Sequence, residues 1–286
     1  MRSVLVVARQ VVAEASRRKL VLALIVLTIV VIALTVWGIG RIGELRNAGQ
    51  PLSEAQRRTI VSQLLILVMF MFGWVLSLAA VFVAAPAISG EVESGIALAL
   101  LARPLSRAEY VVGKWLGLAA IVLGYGIAAA VVELVAVQVV SGYQPPHPIE
   151  FLAFVMGEGI AVLTLSLALS TRVAGMVGGV IAAIVFGIAW MGGIVGGVGA
   201  AFGNETITHV GTATKLILPT DGLWRGAVWS LEPAAVIAAQ SALGPGAAAN
   251  PFFAAEPPAA PYVAWSVAWI AAVLAIAVWS FRRREV

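Results

Sequence analysis

Long apolar runs recur along the chain, each broken by a short cluster of charge, proline or glycine, and the pattern predicts helices long enough to cross a bilayer. A hydrocarbon core about 30 Å thick needs roughly 20 apolar residues per helical span. Runs of that kind lie at 20–40, 62–86, 115–140, 150–170, 173–200 and 262–281, so six spans are expected. Ahead of them Val4, Val7, Ala8, Val11, Val12 and Ala15 repeat at three- and four-residue spacing, with Arg2, Arg9 and Arg17 off that stripe. This moment predicts a helix over 1–19 lying in the membrane interface. Arg17-Arg18-Lys19 before an apolar run also resembles a secretory leader. The run outlasts the roughly 7–15 residues of a leader core and lacks a small-x-small cleavage site, so a retained first span is expected.

Composition agrees with that pattern. Of 286 residues, 61% are hydrophobic and 11% charged, against about 45–50% and about 25% in soluble domains. The expectation is an all-α polytopic membrane protein forming a single transmembrane domain over 1–286, with no room for a separate soluble catalytic domain. The net charge of +4 does not point to nucleic acid, because the basic residues flank apolar runs as membrane anchors do. With no cysteine, and with His147 and His209 far apart, disulfides and thiolate metal sites are excluded and no metal site is expected.

An even number of spans puts both termini on one side. Cytoplasmic termini place Arg2, Arg9, Arg17, Arg18, Lys19, Arg103, Arg107, Lys114, Arg172 and Arg282 to Arg284 inside, which is most of the 18 Lys and Arg residues. That bias predicts the orientation, although Arg41, Arg46, Arg57 and Arg58 crowd the first outer loop. The long outer loop over 201–261 is rich in proline, and Leu223, Trp224, Ala227, Val228 and Leu231 within it repeat at helical spacing. A short helix or re-entrant segment against the outer membrane face is expected there.

The segment 87–114 between the second and third spans carries the most suggestive chemistry. Pro86 and Gly90 are expected to end the second span, a short apolar-faced helix follows Ser94-Gly95, and Arg103-Pro104 stops it. Acids stand before this helix and bases after it, a pattern for water or a soluble partner. The elements Glu91, Glu93, Ser94, Gly95, then Arg103, Pro104, Ser106, Arg107, then Gly113, Lys114 resemble the coupling segment of ABC-2 permeases, with its E-x-E-S-G, R-P-x-S-R and G-K order. Leu218-Pro219-Thr220-Asp221 and a last span ending Phe281-Arg282-Arg283-Arg284 further resemble the permease type involved in maturing multicopper enzymes such as nitrous-oxide reductase.

That resemblance implies the type V exporter-like fold, with a cytoplasmic coupling helix and a homodimer of six-span subunits in the cell membrane. It implies ATPase-coupling roles for Glu91, Glu93, Ser94, Gly95, Arg103, Pro104 and Arg107, a separate ABC ATPase carrying ATP and Mg, and an extracytoplasmic accessory protein as a candidate partner. No phosphate-binding G-x-x-x-x-G-K-[ST] loop is present, since the Gly113-Lys114 pair precedes Trp115, so this chain is expected to hold no cofactor and to be no enzyme.

Inside the spans, Glu133 and Glu158 form a candidate polar site, because a carboxylate in hydrocarbon is costly. They read either as a proton-linked or cation-contacting site or as buried acids facing each other or an outer water-filled cavity. Gly175, Gly179, Gly192, Gly193, Gly196 and Gly197 have the small-x-x-x-small spacing of close helix packing, within or between subunits. Met69, Met71, Met156, Met176 and Met191 fit gap-filling better than copper binding, for Met69 and Met71 point to different helix faces. Two functions remain open: a permease that exports an unidentified substrate, and a force-transmitting component that works on an outer-side partner without moving a solute.

Overall fold

The structure, a computed structural model, describes residues 2–15, 19–47, 49–101 and 105–284. Among the described residues are six helices long and apolar enough to cross a membrane. The fold is an all-α polytopic bundle.

Helix α1 (Arg2–Ala15) leads into the first span, α2 (Lys19–Ile42). A two-residue hairpin pairing Arg46–Asn47 with Gln50–Pro51 turns the chain into α3 (Glu54–Ala84). Ser53 starts α3 with a reciprocal cap, its hydroxyl accepting from the Gln56 amide while the Gln56 side chain accepts from the Ser53 amide. The helical path does not stop at Pro86. After a break at Ala85 it resumes as α4 (Pro86–Glu93), with proline in its first turn, where its missing N–H costs nothing. Ser170 then accepts from the amides of Ile88 and Ser89, both at 3.1 Å, covering donors at the start of α4.

Glu54–Glu93 is therefore a stretch of 40 residues, about 60 Å at 1.5 Å per residue, twice the hydrocarbon thickness. Part of it stands clear of the membrane. Gly95, at φ +76°, turns the chain into the six-residue α5 (Ile96–Leu101). Helix α6 (Arg107–Ser141) starts on a second reciprocal cap, Ser106 with Glu109, and ends on Gly142 in the left-handed conformation. The helix thus begins well before Trp115.

Helices α7 (Pro148–Ser170) and α8 (Gly175–Ala201) follow. The segment expected to be a long loop is folded. It holds α9 (Glu205–Ile217), α10 (Thr220–Leu231), α11 (Ala234–Ser241) and a 3-10 turn at Gly244–Ala249 before α12 (Ala260–Arg282). The stretch does not lie on an outer surface but dips between the spans, as the re-entrant alternative has it: Leu223, Trp224, Ala227, Val228 and Leu231 of α10 are all buried, largely against α7, and Trp224 packs on Phe70 midway along α3. Helix α1 and the end of α12 meet the same end of the bundle: α1 packs on Gly113 and Gly117 of α6, and Arg107 at the start of α6 meets the last carbonyls of α12.

In lipid, burying one apolar side chain against another gains little beyond packing, so close backbone approach and polar contacts decide which helices meet. Helix α8 is placed by its glycines. A Cβ on Gly196 would stand 2.8 Å from the Gly211 Cα of α9, one on Gly192 would strike Thr214, one on Gly197 the Ala248 carbonyl, and one on Gly175 the Pro86 backbone at 2.9 Å. Gly179 lies against Ala85.

Candidate functional site

At the terminal end the two halves of the signature meet in space. Glu91 on α4 turns toward the bundle and is half-buried: one carboxyl oxygen pairs with the Lys114 ammonium, and the other accepts from the Tyr110 hydroxyl at 2.6 Å. The side chains of Lys114 and Glu91 are only 8% and 19% exposed, so this is a shielded pair that fastens α4 to α6. Gly113, one residue earlier, is a notch for α1, since a Cβ there would lie 2.7 Å from the Val7 Cβ; Gly117 receives Val11 in the same way.

Glu93 and Ser94 face outward, as do Ile96 and Leu98, two apolar residues more than half exposed beside the turn at Gly95. Ala97 is buried and anchors the other face of α5. Arg103 and Pro104 lie outside the described residues. Beneath this region a cavity of about 420 Å³ is lined in part by Glu14, Pro86, Glu91, Ser94 and Lys114.

Arg107 serves a different purpose from Glu93. Its guanidinium donates to the carbonyls of Phe281 at 3.2 Å, Arg282 at 3.3 Å and Arg284. Arg172 donates to the Ser280 hydroxyl and carbonyl, both at 2.9 Å, and Arg284 to the Thr171 carbonyl at 2.8 Å. Arg107 of α6 and Arg172 of the turn between α7 and α8 thereby satisfy carbonyls at the end of α12 and complement its dipole.

The two acids inside the spans have separate surroundings. Glu158, 4% exposed, has its Oε2 sealed without a hydrogen-bond partner, 3.8 Å from where a Cβ on Gly73 would sit, and it feels the charge of Asp221. Glu133, equally buried, has both carboxyl oxygens without a hydrogen-bond partner. The Thr35 hydroxyl, which also bonds the Val31 carbonyl at 3.0 Å, is the polar side chain that bears on Glu133.

The connection between α8 and α12 carries further polar groups to which the sequence reading gave no site role. Asp221, 1% exposed, lies 3.4 Å from the Lys215 ammonium and 3.2 Å from Arg225 Nε, while Arg225 also donates to the Gly193 carbonyl at 3.3 Å. A Cβ on Gly193 would overlap the Asp221 carboxylate, so that glycine makes room for a charge. The i, i+4 spacing of Asp221 and Arg225 was the available signal. At the other end of α10, buried Glu232 accepts from the Ala254 amide at 3.3 Å and from Gln63 at 3.5 Å. Burial pushes its carboxyl up to about 7 despite those two hydrogen bonds. Tyr143 donates to the Leu231 carbonyl at 2.5 Å, and its phenol is pushed up by burial and then by the charge of Glu232.

Among the described residues no group of three or more His, Asp or Glu is placed to hold a metal ion. Residues 5–286 match the family model described as ABC-2 family transporter protein. No curated protein gives a significant match.

Proposed function

The chain belongs to the ABC-2 family of transporter proteins, and from that premise we propose that it is a permease subunit coupling ATP hydrolysis by a separate ABC ATPase to export of a substrate across the cell membrane. The terminal end is then the cytoplasmic one. The observation that carries this reading is the exposed edge formed by Glu93, Ser94, Ile96 and Leu98, mounted on helices that continue into the second and third spans.

The physical logic is that of a lever. An ATPase groove offering apolar contact and a complementary cation grips α5 and the end of α4. Because α4 prolongs α3 and the Glu91–Lys114 pair fastens it to α6, a push on α5 moves two spans as one body. Two such subunits facing each other, each on its own ATPase, open and close a path between them. In this scheme Glu93 and Ser94 make the contact, Gly95 shapes the turn, and Glu91 and Arg107 keep the lever stiff. Arg103 and Pro104 complete the segment in the family order.

The folded cap at the opposite end favours a second reading. It carries a cavity of about 500 Å³ lined in part by Lys215, Arg225, Glu256 and Tyr262. A force-transmitting subunit that works on an extracytoplasmic assembly partner, as in maturation of a copper enzyme, would use such a cap. Affinity purification of the tagged chain in mild detergent, followed by an ATPase assay, tests the proposal. Co-purification of an ABC ATPase whose turnover is lost on Glu93→Lys, with the complex otherwise intact, supports the lever. Turnover indifferent to that change removes Glu93 from the coupling edge.

A further inference from the structure

A narrow slot of about 110 Å³ runs between α2, α3 and α6. Tyr125, Ala129 and Glu133 follow one another at four-residue steps along α6, so they share a face, and the small Ala129 leaves the gap between the two larger side chains. Thr28 from α2 and Met69 and Phe72 from α3 close the other walls. From Tyr125 to Glu133 is eight helical residues, about 12 Å.

The two ends of the slot differ. At one, the Thr28 and Tyr125 hydroxyls bond each other at 2.5 Å, and Thr28 also donates to the Leu24 carbonyl at 2.8 Å, so this end is satisfied from within. At the other, Glu133 presents two buried carboxyl oxygens with no hydrogen-bond partner. Buried polar atoms in folded proteins are almost always paired, and an acid inside a span ordinarily faces a partner or a cavity. Here it faces the slot, and no cation among the described residues is paired with it. The mouth opens on the outside of the bundle, where Leu27 is 44% and Met71 50% exposed.

We propose that this slot binds a membrane-dissolved organic cation, an amine bearing a slender apolar chain, with its ammonium on the Glu133 carboxylate and its chain leaving towards the hydrocarbon past Leu27 and Met71. The ion pair supplies the counter-charge that Glu133 lacks among the described residues, and the apolar walls exclude water from it. A volume of 110 Å³ suits an ammonium head with the first carbons of a chain and excludes bulky ring systems, which need several hundred Å³. As a statement about transport this rests on the permease reading and names its substrate class; as a statement about binding it stands alone.

The test uses the full chain with its co-purified ATPase in nanodiscs of neutral lipid, with tritiated n-decylamine as probe and empty discs to subtract partition into lipid. Saturable binding is expected, displaced by unlabelled decylamine but not by 1-decanol or decanoate. Glu133→Gln, which keeps shape and removes charge, and Ala129→Leu, which fills the slot, each weaken binding by about tenfold or more. The exposed Glu150→Gln leaves it unchanged. Equal displacement by decanol, no saturable component, or wild-type binding in both slot variants overturns the inference. ATPase turnover is read on the same discs: turnover without amine binding removes the slot and keeps the permease, whereas amine binding without any ATPase keeps the slot and removes the permease.

Discussion

The two ends of the bundle solve the same problem in opposite ways. At the terminal end the link between spans is thin: α5 has six residues, and its outward side is left uncovered. At the opposite end the link between α8 and α12 is thick, with α10 buried and its carboxylates paired inside the cap. The α10 face is covered from within the chain, although Phe202 and Leu243 of the same link stand 83% and 74% exposed. A turn that leaves Ile96 and Leu98 in the open beside Glu93 is incomplete until something covers it. Stability and coupling should therefore be separable by mutation, the first residing mainly in the cap and the inner struts, the second in the exposed edge.

The largest effect should come from Asp221→Asn, which leaves Lys215 and Arg225 without their buried counter-charge and costs about 3 kcal/mol. Thermal unfolding followed by size-exclusion fluorescence in detergent would show it as a marked loss of folded protein, and a wild-type profile would mean that the cap is held by packing alone. Glu91→Ala comes next, at about 2 kcal/mol, because Lys114 and the Tyr110 hydroxyl both lose their acceptor. A restored profile in Glu91→Ala combined with Lys114→Met would show that the cost arises from the orphaned ammonium.

Glu232 brings pH into the comparison. Its carboxyl holds a proton up to about 7 in the folded chain against an ordinary value of 4.5, so across that window the folded state binds more protons than the unfolded one. Stability contributed by the cap is expected to fall as pH rises from about 4.5 to about 7. Glu232→Gln should flatten that slope in a series of melting curves. The smallest effect on stability belongs to Glu93→Lys, whose melting temperature should match wild type while stimulation of the partner ATPase disappears. A variant that melts early would place Glu93 among the struts.

Six spans could be read from hydropathy because each apolar run is long enough by itself, and bilayer thickness does the counting. The cap could not be read in that way. Leu223, Trp224, Val228 and Leu231 make the same helical stripe whether they face lipid or protein, and nothing local distinguishes an outer membrane face from an α7 surface. Glycine spacing marks α8 as a helix of close approach, yet it carries no information on whether Gly192 and Gly193 meet another subunit or the chain's own Thr214 and Asp221. In the signature, order along the chain hid a division of labour. Glu91 and Glu93 are two residues apart on a helix and so point to different sides, one to Lys114 and one to solvent.

The arginine cluster at the end of α12 also bears on how the protein is made. Helix α12 leaves much of its surface to lipid and is the last of the six spans to emerge from the ribosome. Until Ser280 and the carbonyls after it arrive, Arg107 and Arg172 on segments already inserted have no acceptors there. A nascent chain of five spans would therefore hold two guanidinium groups whose acceptors at the end of α12 have yet to arrive.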